Sequence, residues 1–430
     1  MSQIKSIVDY GADPTGKTSS TVAIQNCLLA IQKEGGGHLL IPTGHYITGS
    51  LQLCSNLVFE ISAGATLCFI ADTAEYPVIT ARWEGADTAV YQACLYGTHL
   101  RNLTIKGQGT IDGSGQYWWD RFNQQQLAYS RPYLISIEYS DNIVIQDVKV
   151  MNSPSWTIHP MASSRILIQN VLLENPSDSP NTDGINPESC QNVRIENCIF
   201  NVGDDCIAIK AGTEAAKEQR PCEDIIISNC TMNHGHGGVV IGSEMSGDIR
   251  RVLISNCIFN DTDRGIRMKT RRGRGGTISD IVVNDILMTN VICPIVINSY
   301  YFCGPGGQYS RVADKKALPV DSGTPFFKNI AISNITAHNT RACALFIYGL
   351  PEAPIDHLKL TNIEIDLAHD QQAPVAPAMF QDAIEMASEK MFLVNTTHTR
   401  IDNVHIDDDD RQLFFKEANN QALKLAIKDS

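Results

Sequence analysis

Four short stretches of the chain carry side chains able to move protons and hold charge. Asn181-Thr182-Asp183-Gly184 is followed 21 and 22 residues after Asp183 by Asp204 and Asp205 in Gly203-Asp204-Asp205-Cys206. His234-Gly235-His236-Gly237-Gly238 comes next, and then Arg267-Met268-Lys269. Breaking a glycosidic bond takes one carboxylic acid to protonate the leaving oxygen and a second carboxylate to activate water or attack the sugar carbon. Three aspartates supply both roles. Crowded like charges also raise at least one pKa, so that one acid can stay protonated near neutral pH. Taken singly, Asn-Thr-Asp-Gly reads as a turn and Gly-Asp-Asp as an exposed loop. Their weight comes from the spacing they share with His236 and with Arg267 and Lys269.

His236, set between glycines, suits a turn, a metal site or a hydrogen bond that tunes a carboxylate. The guanidinium and ammonium in the same set disfavour a cation, so the hydrogen-bonding role fits best and no metal is expected. The basic residues depart most from the overall composition. Arg264, Arg267, Lys269, Arg271, Arg272 and Arg274 fall within eleven residues of a chain whose formal charge is -13. Guanidinium groups capture planar carboxylates in bidentate fashion, so the expected partner is an acidic sugar. The acidic body and the lack of aromatics interleaved with the arginines argue against nucleic acid.

The elements that must position these groups repeat. A polar, apolar, any, apolar pattern recurs as Asn142-Ile143-Val144-Ile145, Arg165-Ile166-Leu167-Ile168, Asn192-Val193-Arg194-Ile195, Asp224-Ile225-Ile226-Ile227, Arg251-Val252-Leu253-Ile254, Asp280-Ile281-Val282-Val283 and Asn329-Ile330-Ala331-Ile332. Five residues after each start stands an amide or acid: Asp147, Asn170, Asn197, Asn229, Asn256, Asp285, Asn334. The units are β-branched with period-two alternation and no helical stripe intervenes, which predicts an all-β solenoid of short strands, a parallel β-helix. The recurrent Asn or Asp is expected at a left-handed turn, stacked in a ladder. One coil is about one repeat, so Asp183, Asp204, His236 and Arg267 are expected on successive coils, about 4.8 Å apart.

One amphipathic helix is predicted over Ala23–Ile31, entered through Thr18, Ser19 or Ser20, stopped by Gly35-Gly36-Gly37, and capping the core. The expected organisation is a single domain: a cap region over 1–50, coils over about 51–365, and C-terminal coils and cover over 366–430. Segments 70–95, 304–328 and 366–390 lose the repeat and are expected to be long loops. Cys198, Cys230 and Cys257 fall at core positions, and the thirteen cysteines, an odd number, suit free thiols in a reducing compartment. Residues from Met1 onward show no signal peptide and no run reaches eighteen apolar residues, so a cytoplasmic protein with no membrane span is expected.

With these motifs in place, the set Asn181-Thr182-Asp183, Gly203-Asp204-Asp205, His236-Gly237 with Ile241-Gly242-Ser243, and Arg267-x-Lys269 resembles the polygalacturonase family, glycoside hydrolase family 28. The resemblance runs from Asp9-Tyr10-Gly11-Ala12 through at least residue 300. It implies a right-handed β-helix, inversion of anomeric configuration, and no metal or organic cofactor. It assigns Asp204 as general acid, Asp183 and Asp205 as the pair that activates water, His236 as support for the acid, and Arg267 and Lys269 as the grip on galacturonate. Tyr300 or Tyr301 would supply a substrate-binding tyrosine, with Asn181 and Arg271 as further contacts. Gly237-Gly238-Val239-Val240 looks more like the bacterial exo-acting branch than endo-acting fungal relatives. The expected partner is an oligomer of galacturonate; oligomeric state is not legible. An endo-polygalacturonase and a rhamnogalacturonan-type hydrolase are the near alternatives. A calcium-dependent polyuronate lyase and an inactive carbohydrate-binding β-helix are the distant ones.

Overall fold

In the computed structural model, which describes residues 4–369, 373–407 and 412–426, the chain forms a right-handed parallel β-helix with a short N-terminal helix. It divides into two compact units, residues 1–83 with 87–205, and 84–86 with 206–430.

In the first unit the helix Thr21–Lys33 begins after Ser20 and buries Ala23, Ile24, Cys27, Leu28 and Ile31 on one face. This is the stripe expected of a helix that covers an apolar edge. The strands then pair in parallel in the register that the repeats dictate. Leu103 faces Ile143, Ile143 faces Ile166, and Ile166 faces Val193. Ile105, Ile145, Ile168 and Ile195 form the neighbouring row, and all of these side chains are buried. A second parallel sheet, in the order Ile158–Met161, Ile135–Glu138, Leu95–Thr98 and Leu51–Gln52, forms another wall.

The second unit repeats the device. Ile225, Val252, Ile281 and Ile330 make one row, and Ile227, Ile254, Val283 and Ile332 the next. The strands Gly237–Gly242, Arg264–Lys269, Cys293–Asn298, Cys343–Tyr348, Glu389–Val394 and Phe414–Ala418 follow one another in a second parallel sheet.

Both ends of each repeat unit are left-handed. The trailing positions Asp147, Asn170, Asn197, Asn229, Asn256, Asp285 and Asn334 have φ between 54 and 61°, as expected. The leading positions do the same, at φ 62° for Asn142, 53° for Arg165, 55° for Arg251 and 57° for Asp280. Arginine rarely adopts this conformation. Side-chain amides zip the column: Asn170 Nδ2 donates to Asp147 Oδ1 at 2.9 Å, Asn334 to Asp285 at 3.0 Å, and Asn362 to Asn334 at 3.1 Å.

Two expected loops carry regular structure. Segment 70–95 contains the strands Val78–Trp83 and Ala86–Tyr91, and 304–328 contains the one-turn helix Ser310–Ala313. Of segment 366–390, residues 370–372 lie outside the described residues. The remainder closes a bridge between Val375 and Met386 and is held by Arg264, which donates to the carbonyls of Ala376 and Pro377. All thirteen cysteines have free thiols, and Cys198, Cys230 and Cys257 are buried as core residues. The neighbouring Cys230 and burial hold the Cys257 thiol far above its ordinary pKa, so it is unreactive.

Candidate active site

The first unit assembles the three carboxylates. Asp183 follows the turn at Asn181, whose φ is 52°, and Asp204 and Asp205 stand at the entry to the strand Asp205–Ile209. The Gly184 amide donates to the Asp205 carbonyl at 3.0 Å, and the Gly203 amide donates to Thr182 Oγ1 at 3.1 Å. These two bonds set the coils in register. One oxygen from each of Asp183, Asp204 and Asp205 lies within 4.8 Å of the others. Asp183 and Asp205 are buried, while Asp204 is half-buried. Three carboxylates this close put the two roles, proton donor and base, within reach of one bond. The same oxygens are also close enough to share a divalent cation.

Three residues that the sequence reading missed hold this corner. Asn186 is fully buried and its Nδ2 donates to Asp183 Oδ2 at 2.8 Å, which favours the ionised carboxylate. Arg131, buried with its guanidinium over the Phe122 ring, donates to Asn181 Oδ1 at 2.7 Å and to the carbonyls of Pro154 and Pro180. Asn181 Oδ1 is thus engaged in shaping the turn. Asn175 Nδ2 reaches Thr157 Oγ1 and the Thr182 carbonyl. An asparagine three residues past an aspartate and an arginine fifty residues before a turn carry no sequence signal of their own.

The second unit presents the other candidates. His236 is exposed at the bend that precedes the strand Gly237–Gly242. Arg267 and Lys269 lie two residues apart on Arg264–Lys269, on one face of the strand. Both approach the half-buried Tyr301: Lys269 Nζ lies 5.0 Å and the Arg267 guanidinium carbon 5.9 Å from its ring centroid. Arg267 Nη2 also meets Met379 Sδ at 3.0 Å, a contact from 112 residues away. Of the two tyrosines, therefore, Tyr301 shares the cations' environment. Tyr300 is turned into the core against Phe346, Tyr348 and Phe392, its phenol pushed up by burial.

Arg271 lies away from the Tyr301 ring and among its own partners. It is 1% exposed, and its guanidinium donates to Glu214 Oε1 at 2.7 Å and to the carbonyls of Pro305 and Arg272. Buried charge must be matched locally, and Glu214 matches it. Glu244 adds a negative charge beneath the sheet, at 3.4 Å from Lys210. Burial alone would raise its pKa, but Lys210, Arg274 and Lys269 outweigh that and hold it down at about 2.

A parallel β-helix bearing three carboxylates in one cluster carries the groups that a carboxylate-based hydrolase needs. The chain belongs to glycosyl hydrolases family 28, whose profile matches residues 34–373. It is 36% identical over 375 residues to a probable polygalacturonase of Vitis vinifera, covering 84% of this chain and 74% of that one. An exopolygalacturonase of Thermotoga maritima superposes with a TM-score of 0.75 at 28% identity, covering 85% of this chain and 87% of the other. A family 28 exopolygalacturonase of Yersinia enterocolitica superposes with a TM-score of 0.81 over 99% of this chain and 78% of its own; at 21% identity it speaks to the fold alone. The protein is accordingly a glycoside hydrolase.

Proposed function

We propose that the enzyme hydrolyses α-1,4 bonds between galacturonate units and releases single units from the ends of short oligomers. The observation that carries the reading is the convergence of Asp183, Asp204 and Asp205 within 4.8 Å. In this reading Asp204, the most exposed of the three, protonates the leaving oxygen, while Asp183 and Asp205 activate water. Asn186 supports it by favouring the ionised Asp183. Arg267 and Lys269, with Tyr301, take the uronate carboxylate, and His236 supports the acid. The names of the Vitis and Thermotoga relatives support the substrate, and the latter supports chain-end action. The cysteine usage supports a reducing, cytoplasmic setting.

The family resemblance supports inversion, and a retaining enzyme is the alternative. Proton NMR of the first-formed anomer tests this: from an α-linked oligomer, β-galacturonate first means inversion and α-galacturonate first means retention. A time course on polygalacturonate, with and without chelator, tests the rest. Chain-end hydrolysis accumulates monomer while viscosity falls slowly. A ladder of intermediate oligomers with rapid viscosity loss would make this an endo-enzyme, and a chelator-sensitive product absorbing in the ultraviolet would make it a lyase.

A further inference from the structure

The column of left-handed turn residues changes character at the end of the second unit. Asp280 and Asn329 occupy it in two coils, with Asn329 Nδ2 on Asp280 Oδ1 at 3.1 Å. The same backbone position in the next two coils is His357, at φ 54°, and His398, at φ 50°. The strand register, which pairs Asp356 with Thr397, sets the two imidazoles side by side, with centroids 4.6 Å apart and planes inclined by 26°. Both turn Nδ1 to one acceptor: Asp356 Oδ1 lies 2.8 Å from His357 Nδ1 and 2.9 Å from His398 Nδ1. At the next rung the column reaches Ala422, also left-handed, whose methyl cannot extend the ladder. The face beyond His398 opens into a groove of about 790 Å³ lined by His357, His398, Arg400, Ala422 and Lys424. Arg400 is paired with Asp402 at 3.0 Å.

We propose that Asp356, His357 and His398 form a binding site for a borderline divalent transition-metal ion of the zinc, nickel or copper type, distinct from the catalytic carboxylates. One donor atom from each residue already lies within 4.8 Å of the other two. Donors at about 2.0–2.1 Å from a tetrahedral ion stand about 3.3 Å from one another. The two contacts at Asp356 Oδ1, now hydrogen bonds of 2.8 and 2.9 Å, need open by only about half an ångström to admit an ion. Imidazole nitrogens with one carboxylate select such ions over calcium and magnesium, which take oxygen ligands. The groove leaves the remaining positions to water. Because the ligands come from two consecutive coils, the ion ties the end of the unit together, where a solenoid otherwise frays.

The test uses the full-length, chelator-treated protein at pH 7.5, titrated with zinc chloride and separately with calcium chloride by calorimetry, with bound metal counted after dialysis. The expected result is one zinc per chain at micromolar affinity, no calcium at the same site, and a higher melting temperature with zinc. His357→Asn and His398→Asn, which restore the amide of the earlier rungs, weaken zinc binding at least tenfold and abolish the thermal gain. Metal-free hydrolase activity stays unchanged. Copper-loaded protein shows nitrogen hyperfine splitting in its electron paramagnetic resonance spectrum, and this is lost in the double variant. Zinc uptake equal in wild type and both variants, or uptake lost in Asp204→Asn but retained in the variants, would place the ion elsewhere and overturn the proposal. So would no uptake below millimolar zinc.

Discussion

The basic residues between 264 and 274 form one cluster in the sequence and two populations in the structure. Arg271, Arg272 and Arg274 are locked by carboxylates and carbonyls. Arg272 grips Glu352 through Nε at 2.6 Å and Nη2 at 2.9 Å, and reaches the carbonyls of Arg311, Asp314 and Lys316. Arg274 and Arg271 share Glu214. Arg267 and Lys269, a few residues earlier and on the strand itself, also approach the Tyr301 ring, and Arg267 meets the Met379 thioether. The difference teaches that a run of like charge names neither role. A guanidinium such as Arg272, held by a bidentate carboxylate and loop carbonyls, organises loops, whereas Arg267 and Lys269 lie on the strand itself beside Tyr301.

The comparison can be broken at four points. The largest effect belongs to the carboxylates: Asp204→Asn lowers kcat by about 10²–10⁴-fold, the usual worth of a general acid, and leaves the unfolding free energy within about 1 kcal/mol. Retention of activity would remove Asp204 from the acid's role.

Arg272→Met is expected to do the reverse. It strands Glu352 without its cation and costs about 3–5 kcal/mol in chemical denaturation, while the folded fraction keeps its kcat/KM within about threefold. An activity loss without instability would return Arg272 to the substrate-binding population.

For Lys269→Met and Arg267→Gln, kcat/KM on free oligogalacturonides falls by the equivalent of about 2–5 kcal/mol, and on methyl-esterified ones much less. An equal fall on both substrates would show that these cations do not read the carboxylate.

Glu138 shows a third way to keep charge inside. Burial, against the modest help of Ser136, raises its pKa to about 7, with Glu188 adding to the shift and Arg82 opposing it. A folded pKa above the ordinary 4.5 means that the folded state holds a proton the unfolded state releases. Its contribution is therefore fully present below about pH 4.5 and lost as pH rises through 7. Glu138→Gln should raise stability above pH 7, by about 3 kcal/mol at most, and change it little at pH 4. Melting temperatures across pH 4–8 check this, and a constant difference between the two proteins would refute it.

The coils were legible because solenoid physics writes itself locally. Alternating Ile and Val mark each strand, and Asn or Asp marks each turn, so Ile143, Ile166 and Val193 could be aligned before their pairing was seen. The meeting of Asp183 with Asp204 and Asp205 was legible for the same reason: a spacing of one period becomes proximity. What stayed hidden depends on partners supplied at distances without period. Arg271 looked available until Glu214 and Pro305 were found around it, and Met379 reaches Arg267 from a segment with no repeat. Tyr300 and Tyr301 are neighbours that extended backbone turns to opposite sides, which sequence cannot phase outside a repeat. The leading turn positions were missed because Arg165 and Arg251 occupy a conformation that propensity assigns to Asn, Asp and Gly.

Those left-handed residues have a consequence for how such a protein can be modified. Ile143 and Ile166 pair in register across 23 residues, and Ile281 pairs with Ile330 in the same way across 49. The corners, not the length of chain between them, fix the alignment. Each coil thus behaves as a standard fitting with an interchangeable excursion, and loop-closure cost grows only slowly with length. The excursion between Asn298 and Phe326 is one such, and whatever replaces it must keep Tyr300 in the core and the carbonyls of Pro305, Arg311, Asp314 and Lys316 that hold Arg271 and Arg272. The molecule thus separates its chassis from its accessories.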